Sequence, residues 1–191
     1  AVVDVSDTFS SIPLAVECRT YFAFSFDGTQ YQPTGLPQGY KHSPTLAHNV
    51  LKSLLEELDL GKVKIYQYID DILITGEHDD EVKNAVLKIA EHLGKNKLKV
   101  KHEKIQRPGA KVKFLGVIIQ EKGFSIPDTV QKEISQLKAP ADKKELQTLL
   151  GKLGFWRQHI QGYVQLTRPF YNLLQKKVQW EWTLTYQKLL E

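Results

Sequence analysis

The chain has 191 residues, of which 41% are hydrophobic and 25% are charged, and its formal net charge is +4. These values lie near globular averages and, without an apolar stretch of bilayer length, exclude disordered, collagen-like and membrane-spanning classes. The single cysteine, Cys18, excludes an internal disulfide framework, and no targeting signal is recognisable, so an intracellular protein without membrane contact is expected. Because the sequence lacks Met and opens on a β-rich run, we expect a piece of a longer polypeptide.

The first forty residues are predicted to form β structure. Residues 2–5 are β-rich, and aromatic residues alternate with smaller ones over residues 22–26, just before Asp27-Gly28. Strands separated by Asp-Gly are typical of a tight hairpin, so residues 29–32 are predicted to form the return strand.

Two amphipathic helices are predicted in the middle of the chain. Apolar side chains recur at helical spacing within residues 43–58, and Gly61 is a stop signal. A second apolar stripe begins after Asp79 or Asp80, either of which is a suitable N-cap, and ends at Gly94.

Further strands are predicted at 63–68 and 72–75, joined at Asp70-Asp71, and at 112–119. This order of strands and helices indicates an α+β fold, an antiparallel sheet with helices on one face. From Pro127 onward the pattern is helical.

The helical part indicates a second domain. Asp142 followed by Glu145 resembles a capping box, and the apolar stripe that begins at Leu146 predicts a helix. The boundary is predicted within residues 122–127.

A basic segment extends from Lys95 to Lys113, with eight Lys or Arg residues against one acid, Glu103. Such a segment beside the acidic residues 77–81 is compatible with a polyanion-binding surface and a separate place for cations. The alternative is an ordinary solvated face, which is the commoner origin of a charge run.

The carboxylates Asp70 and Asp71 carry the strongest chemical signal. Adjacent like charges within an apolar hairpin break the usual turn rules, and such exceptions tend to mark functional sites. Carboxylate oxygens suit Mg²⁺ or Mn²⁺, although an exposed polar turn is the alternative. A two-metal site needs carboxylates from separate strands, and Asp4 and Asp7 both remain candidates for the other strand.

No competing chemistry is recognisable in the sequence. The six histidines show no metal-ligand spacing, and neither a Gly-x-Ser-x-Gly motif nor a phosphate-binding loop is present.

Several segments together resemble retroviral reverse transcriptases, with the gamma-type and endogenous group most similar. Residues 2–9, 36–44 and 68–71 resemble motifs A, B and C of that family in order and spacing. The resemblance implies a palm subdomain at 1–121, a thumb subdomain at 122–169 and the start of a connection region at 170–191.

The resemblance implies RNA-directed and DNA-directed DNA polymerase activity, with dNTP added to a DNA primer on an RNA or DNA template. It implies that Asp4, Asp70 and Asp71, rather than Asp7, are ligands of two Mg²⁺ ions, with Mn²⁺ as a substitute. One ion would activate the primer 3′-hydroxyl and the other would neutralise the triphosphate. Lys104 matches the lysine that protonates pyrophosphate.

Other positions acquire roles through the same resemblance. Phe9 matches the ring that excludes a 2′-hydroxyl, although its residue type alone favours a core Phe. Gln38 and Gly39 match nucleotide and template contacts, and Tyr68 of motif C is a nucleic-acid contact. Phe114, Leu115 and Gly116 match the primer grip.

In the thumb, the resemblance implies nucleic-acid contacts from Gln147, Gly151, Lys152 and Phe155. Three of these, at 147, 151 and 155, recur at i, i+4 and i+8, on one helix face that suits the shallow minor groove of a hybrid. For Phe155 the alternative is packing against a neighbouring helix.

The resemblance also implies partners and location. Fingers, connection and RNase H segments of a Pol polyprotein would be partners, in the cytoplasm or within a virus-like particle. Ser10 and the segment Pro33-Thr34-Gly35 depart from the family pattern, so the alternative is a catalytically inactive endogenous remnant that retains nucleic-acid binding. Because the fingers are expected to lie outside the chain, residues 1–191 alone are expected to be inactive.

Overall fold

A computed structural model describes residues 1–190 of the chain. The chain divides into two compact units, Ala1–Glu121 and Lys122–Glu191, and each is described by itself below. Among the described residues, no helix is long and apolar enough to cross a membrane.

The first unit contains most of the strands. Its elements in chain order are β1 (Val2–Ser6), α1 (Thr8–Ser11), a 3₁₀ helix (Val16–Phe22), β2 (Phe24–Phe26), β3 (Thr29–Tyr31), α2 (Ser43–Glu56), β4 (Lys64–Tyr68), β5 (Asp71–Thr75), α3 (Asp79–Lys95), β6 (Lys99–Val100), a 3₁₀ turn (His102–Lys104), β7 (Lys111–Phe114) and β8 (Val117–Gln120).

A four-stranded sheet in the order β4-β5-β1-β6 is the centre of this unit, and each of its pairs is antiparallel. Val3, Val5, Ile72 and Ile74 point to one face, where they are buried against apolar side chains of α2 and α3. Successive side chains of a strand alternate between faces, so this pattern places both helices on one side of the sheet. The predicted α+β fold class is confirmed.

The opposite face of the sheet carries Val2 and Leu73, which pack against Val112 and the partly buried Phe114 and Ile119. The β7–β8 hairpin therefore covers this face. Asp4 lies two residues after Val2, and Asp71 lies two residues before Leu73. Side chains two residues apart in a strand point to the same face, so both carboxylates lie on the face that the hairpin covers.

Several local predictions for the first unit were wrong. Within the first forty residues, which were predicted to form β structure, Thr8–Ser11 and Val16–Phe22 are helical. The single strand predicted at 112–119 is a hairpin with a turn at Leu115-Gly116. The helix α2 ends at Glu56, before Gly61, and β6 was not predicted.

The helix α3 also departs from its predicted ends. His78 is its N-cap, Asp79 and Asp80 lie within its first turn, and Gly94 lies inside it, with Asn96 as the C-cap. Acidic side chains in the first turn interact favourably with the positive end of the helix dipole. Both aspartates therefore stabilise the start of the helix without capping it.

The second unit opens with the short strand β9 (Gly123–Ser125) and is otherwise helical, with α4 (Asp128–Ser135), α5 (Lys143–Phe155), a 3₁₀ turn (Arg157–His159), α6 (Tyr163–Leu173) and α7 (Leu184–Leu190). Leu146, Leu149 and Leu150 of α5 are buried with Phe170 and Leu173 of α6. These leucines are the apolar stripe that the sequence predicts.

The start of α5 confirms the predicted cap. The Asp142 side chain accepts a hydrogen bond of 2.8 Å from the Glu145 amide, and the Glu145 carboxylate accepts one of 2.8 Å from the Ala141 amide. These two bonds satisfy backbone donors at the helix start, as in a capping box shifted by one residue.

Candidate active site

Asp4 and Asp71 are direct cross-strand partners in the β1–β5 pair. The backbone amides alternate along this pair: Ile74 donates to the Ala1 carbonyl at 2.9 Å, and Val5 donates to the Asp70 carbonyl at 3.0 Å. By that alternation Asp4 and Asp71 form a non-hydrogen-bonded pair, the type in which opposing side chains are nearest, with Cα atoms about 4.5 Å apart. The fold therefore brings two carboxylates together on one face.

Asp70 is the second residue of the β4–β5 turn, which consists of Ile69 and Asp70. The sequence placed this junction one residue later, at Asp70-Asp71, and that prediction was wrong because Asp71 is the first residue of β5. Ile69 has φ of 55°, in the left-handed region that a β-branched residue rarely adopts. A tight turn with this conformation at its first position is usually made by Gly, so the backbone beside the carboxylates is strained.

The Gln67 side chain holds this turn in place. Its amide donates to the Ile69 carbonyl at 2.9 Å and to the His48 carbonyl of α2 at 3.0 Å. One side chain thus ties the strained turn to the helix packed behind the sheet. Gln67 was not predicted from the sequence; its signal there is a polar residue at an alternate position that Ile65 makes apolar on the same face of β4.

Lys104 lies beside the carboxylates. Its ammonium donates to Oδ2 of Asp4 at 2.8 Å. Lys104 follows β6, whose Val100 pairs with Val5 of β1, so the strand next to Asp4 brings the lysine to the site. Asp7, the other sequence candidate, lies exposed at the start of α1 with φ of 53°.

Charge and burial shift two pKa values at the site. Burial raises the pKa of Asp71, and the negative charges of Asp70 and Asp4 raise it further, whereas Lys104 lowers it. The hydrogen bond to Asp4 and the attraction of that carboxylate raise the pKa of Lys104. The Asp71 carboxyl therefore interacts with the charges of Asp70, Asp4 and Lys104, among which negative charge is in excess.

The donor set suits a hard divalent cation in kind, because it consists of carboxylates on neighbouring segments of one sheet. Within residues 1–190, however, no group of three or more His, Cys, Asp or Glu side chains is arranged to hold a metal ion. The Lys104 ammonium lies on one oxygen of Asp4 instead. Any metal ion would therefore need to rearrange these side chains.

Of the residues that the family resemblance assigns to the nucleotide, Phe9 lies in α1 and is half-buried, and Gln38 and Gly39 are exposed. The Leu36 amide donates to the Phe9 carbonyl at 3.0 Å, which ties the two segments together. Gly39 has φ of 91°, a conformation that favours glycine.

Two departures from the family pattern lie against each other. Gly35 faces the Ser10 backbone so closely that a side chain at 35 would collide with the Ser10 carbonyl. The Pro13–Gly35 bridge holds the same two segments together. The glycine is therefore required by close backbone approach in this chain.

The residues assigned to the primer grip form the end of the β7–β8 hairpin. Phe114 ends β7, and the turn residues Leu115 and Gly116 have φ of 49° and 83°. Gln106, which was not predicted from the sequence, fixes the hairpin: its side chain exchanges hydrogen bonds of 2.6 and 2.8 Å with the Lys113 backbone. Its own backbone pairs with Val2 of β1.

In the second unit, Gln147, Gly151, Lys152 and Phe155 are exposed on α5, away from its buried leucines. Phe155 is 63% exposed and packs edge-on against Trp156, so burial against a neighbouring helix does not account for it. Gln147 and Gly151 line a cleft of about 370 Å³ that Arg157, Tyr163 and Tyr171 also line.

The chain is similar to known proteins over its whole length. Residues 1–119 match the family model described as reverse transcriptase (RNA-dependent DNA polymerase). The Gag-Pol polyprotein of avian reticuloendotheliosis virus is 32% identical over 179 residues, and the Pro-Pol polyprotein of simian foamy virus type 1 is 31% identical over 172. Each alignment covers 90% of this chain but only 16% and 15% of those proteins, so the chain spans a small part of its relatives.

Solved structures match as well. The foamy viral protease-reverse transcriptase in complex with an RNA/DNA hybrid has a TM-score of 0.87 and 26% identity, covering 99% of this chain and 26% of that one. The same enzyme in complex with double-stranded DNA has a TM-score of 0.85 and 27% identity, covering 99% and 39%.

Proposed function

Since this chain belongs to the reverse transcriptase family, whose model its residues 1–119 match, we propose that it carries the catalytic carboxylates of an RNA- and DNA-templated DNA polymerase. The reaction would transfer a nucleotide from a dNTP to a primer 3′-hydroxyl. The observation that supports this most is the direct opposition of Asp4 and Asp71 across β1 and β5, with Asp70 in the adjoining turn.

Asp4, Asp70 and Asp71 are the proposed ligands of two Mg²⁺ ions. When bound, Mg²⁺ would lower the pKa of the attacking hydroxyl and neutralise charge on the triphosphate and leaving group. Gln67 and the buried strand β5 hold the carboxylates in position, and Lys104 is the proposed proton donor to pyrophosphate. Its pair with Asp4 raises the pKa of Lys104, so that bond must break before the lysine releases a proton readily.

Substrate contacts are proposed within each unit. In the first, Phe9 excludes a 2′-hydroxyl, Gln38 and Gly39 contact the incoming nucleotide, and Tyr68 contacts nucleic acid. The β7–β8 turn lies on the same face of the sheet as Asp4 and Asp71, which suits the proposed primer grip. In the second unit, the exposed face of α5 is the proposed minor-groove contact.

Primer extension tests the proposed activity. Residues 1–191 produced alone are expected to bind primer-template but to extend it slowly or not at all, because holding the triphosphate at near-attack distance is assigned to fingers. A chimaera with the fingers segment of the avian reticuloendotheliosis virus relative is expected to extend the primer, and its Asp71→Asn variant is not. If the chimaera binds primer-template without extending it, the chain is an inactive remnant that retains binding.

Nucleic-acid binding has its own test. Phosphate contacts by the basic segment Lys95–Lys113 release counterions, so the affinity for a hybrid should fall steeply between 50 and 200 mM salt (about 10-fold or more) with little dependence on base sequence. Binding that is insensitive to salt, or a strong preference among hybrids of equal length, would remove this surface from the proposal.

A further inference from the structure

We propose that the Lys104 ammonium is a built-in counter-cation, which occupies the place of a divalent ion at Asp4 and is displaced when that ion binds. This inference rests on the proposed function, because it takes Asp4, Asp70 and Asp71 as the metal-binding carboxylates. It adds a property of the chain itself, an exchangeable cation that its own sequence supplies.

The first support is the geometry of the pair. The Lys104 ammonium lies 2.8 Å from Oδ2 of Asp4, while the Asp4 side chain is 28% exposed and the Lys104 side chain 53% exposed. The carboxylate is therefore largely sheltered, and the ammonium reaches it from the solvent side. A cation approaching Asp4 would meet the lysine on the same oxygen.

The second support is the contrast with the other lysine pairs. Lys52–Glu56, Lys83–Asp80 and Lys95–Glu91 join residues three or four apart on one helix, with both side chains more than half exposed. Among the lysine–carboxylate ion pairs within residues 1–190, Lys104–Asp4 is the one that joins distant segments. The strand β6 and the 3₁₀ turn His102–Lys104 position its lysine. A pair that depends on strand pairing is part of the fold, unlike a chance contact on a helix surface.

The third support is the charge balance. One ammonium leaves two of the three carboxylate charges without compensation, so Lys104 neutralises the cluster only in part. A divalent ion brings more positive charge to the same oxygens and suits them better as ligands. Because the ion and the ammonium compete for Asp4, each weakens the binding of the other by the same factor.

Displacement by a metal ion would release the Lys104 side chain. Once an ion binds Asp4, the Lys104 side chain loses its hydrogen-bond partner and is free beside the carboxylates. Lys104 would then be available to a phosphate-bearing ligand only in the metal-loaded site, which couples its release to metal binding.

The experiment measures Mn²⁺ binding to residues 1–191 from the electron paramagnetic resonance signal of free Mn²⁺, at low ionic strength. Lys104→Met removes the charge but keeps the length of the side chain, and Lys101→Met is the matched control, since it removes one lysine charge from the same segment. We expect Lys104→Met to bind Mn²⁺ about fivefold more tightly or better. We expect Lys101→Met to change the affinity by less than about twofold, since exposed charges are screened by solvent and salt.

An affinity of Lys104→Met that is unchanged, weakened or no greater than that of Lys101→Met overturns the inference. Weakening would mean that the lysine only positions the carboxylates. The Asp71→Asn variant separates this failure from that of the proposed function: if Mn²⁺ binding to the wild type does not depend on Asp71, the metal site itself is wrong.

A second readout follows the ammonium directly. In a Mg²⁺ titration monitored by NMR of lysine side chains, the Lys104 signal, identified by its absence from Lys104→Met, should move to the position of a free lysine. A Lys104 signal that stays in place while Mg²⁺ binds would contradict the displacement.

Discussion

Two of the tight hairpins of the first unit, β2–β3 and β4–β5, have the same loop length, but their turns differ in sequence and in backbone strain. The β2–β3 hairpin turns at Asp27-Gly28, where both residues have positive φ, 49° and 72°, as a type I′ turn requires. The β4–β5 hairpin turns at Ile69-Asp70, with positive φ on a β-branched residue. The β2–β3 turn has the residue types that tight hairpin turns prefer, and the β4–β5 turn does not.

The hairpin with the unfavourable turn is the one whose strand is buried. All residues of β2 and β3 are exposed, whereas Ile72, Leu73 and Ile74 of β5 are buried between the helices and the β7–β8 hairpin. The unfavourable turn is therefore imposed by packing on both faces of the sheet, while the favourable turn is held mainly by its own sequence. Strain and like charge are tolerated at the site because the core stabilises the strand that carries them.

The largest expected effect is on the buried strand. Ile72 is fully buried, so Ile72→Ala should destabilise the first unit by about 2 to 5 kcal/mol, as expected for a core cavity. Phe26→Ala in β2, where the ring is 69% exposed, should cost less than about 0.5 kcal/mol. Urea unfolding in EDTA measures both, and similar costs for the two variants would end the distinction between the hairpins.

The next effect concerns Gln67, whose side chain ties the strained turn to α2 (the Gln67 clamp). Gln67→Ala removes the hydrogen bonds to Ile69 and His48 and should cost about 1 to 3 kcal/mol, since two hydrogen bonds of a half-buried side chain are lost. Gln30→Ala in β3, an exposed position, is the control and should have little effect. A stability loss that is equal in the two variants would show that the clamp is unimportant.

Glycine can be removed from the β2–β3 turn and introduced into the β4–β5 turn. Gly28→Ala should cost about 1 kcal/mol, because no atom lies near the added Cβ and the effect is one of backbone conformation alone. Ile69→Gly should relieve strain at φ of 55°, partly offset by the flexibility of glycine, and so have an effect near zero or slightly stabilising. A large stability loss in Ile69→Gly would mean that the side chain, and not packing of the strand, holds the turn.

The smallest effect is electrostatic. Because the folded chain raises the pKa of Asp71, ionisation of this carboxyl opposes folding, and that cost grows as pH rises through its unfolded and folded pKa values. In EDTA, Asp71→Asn should therefore be slightly more stable than the wild type at pH 7, and this difference should vanish near pH 3, where Asp71 is protonated in both states. A pH-independent difference would assign the effect to packing.

Sequence patterns predicted the regular parts of the fold well. Asp142, Glu145 and the leucines of α5 carry their signals locally, and so do the Asp-Gly turn and the apolar stripes of α2 and α3. The strand β6 was missed because Lys97 to Lys101 alternates lysines with Leu98 and Val100, and the charge run obscured a strand-like alternation. The turn at Leu115-Gly116 lacks the Asn-Gly or Asp-Gly signal.

The candidate site was harder to predict from sequence patterns than the regular elements were. Periodicity could not choose between Asp4 and Asp7, because the choice depends on the register between β1 and β5, two strands far apart in the chain. The family resemblance, confirmed by the match over residues 1–119, selected Asp4. The pair between Lys104 and Asp4 and the clamp by Gln67 depend on tertiary placement alone.

Thermal unfolding of residues 1–191 with and without Mg²⁺ tests directly whether Asp4, Asp70 and Asp71 form one divalent-cation site. An ion that binds only the folded chain raises the melting temperature. We expect Mg²⁺ to stabilise the wild type and the Asp79→Asn, Asp80→Asn control, but not Asp4→Asn or the Asp70→Asn, Asp71→Asn variant. An equal Mg²⁺ response in all four proteins would contradict this expectation.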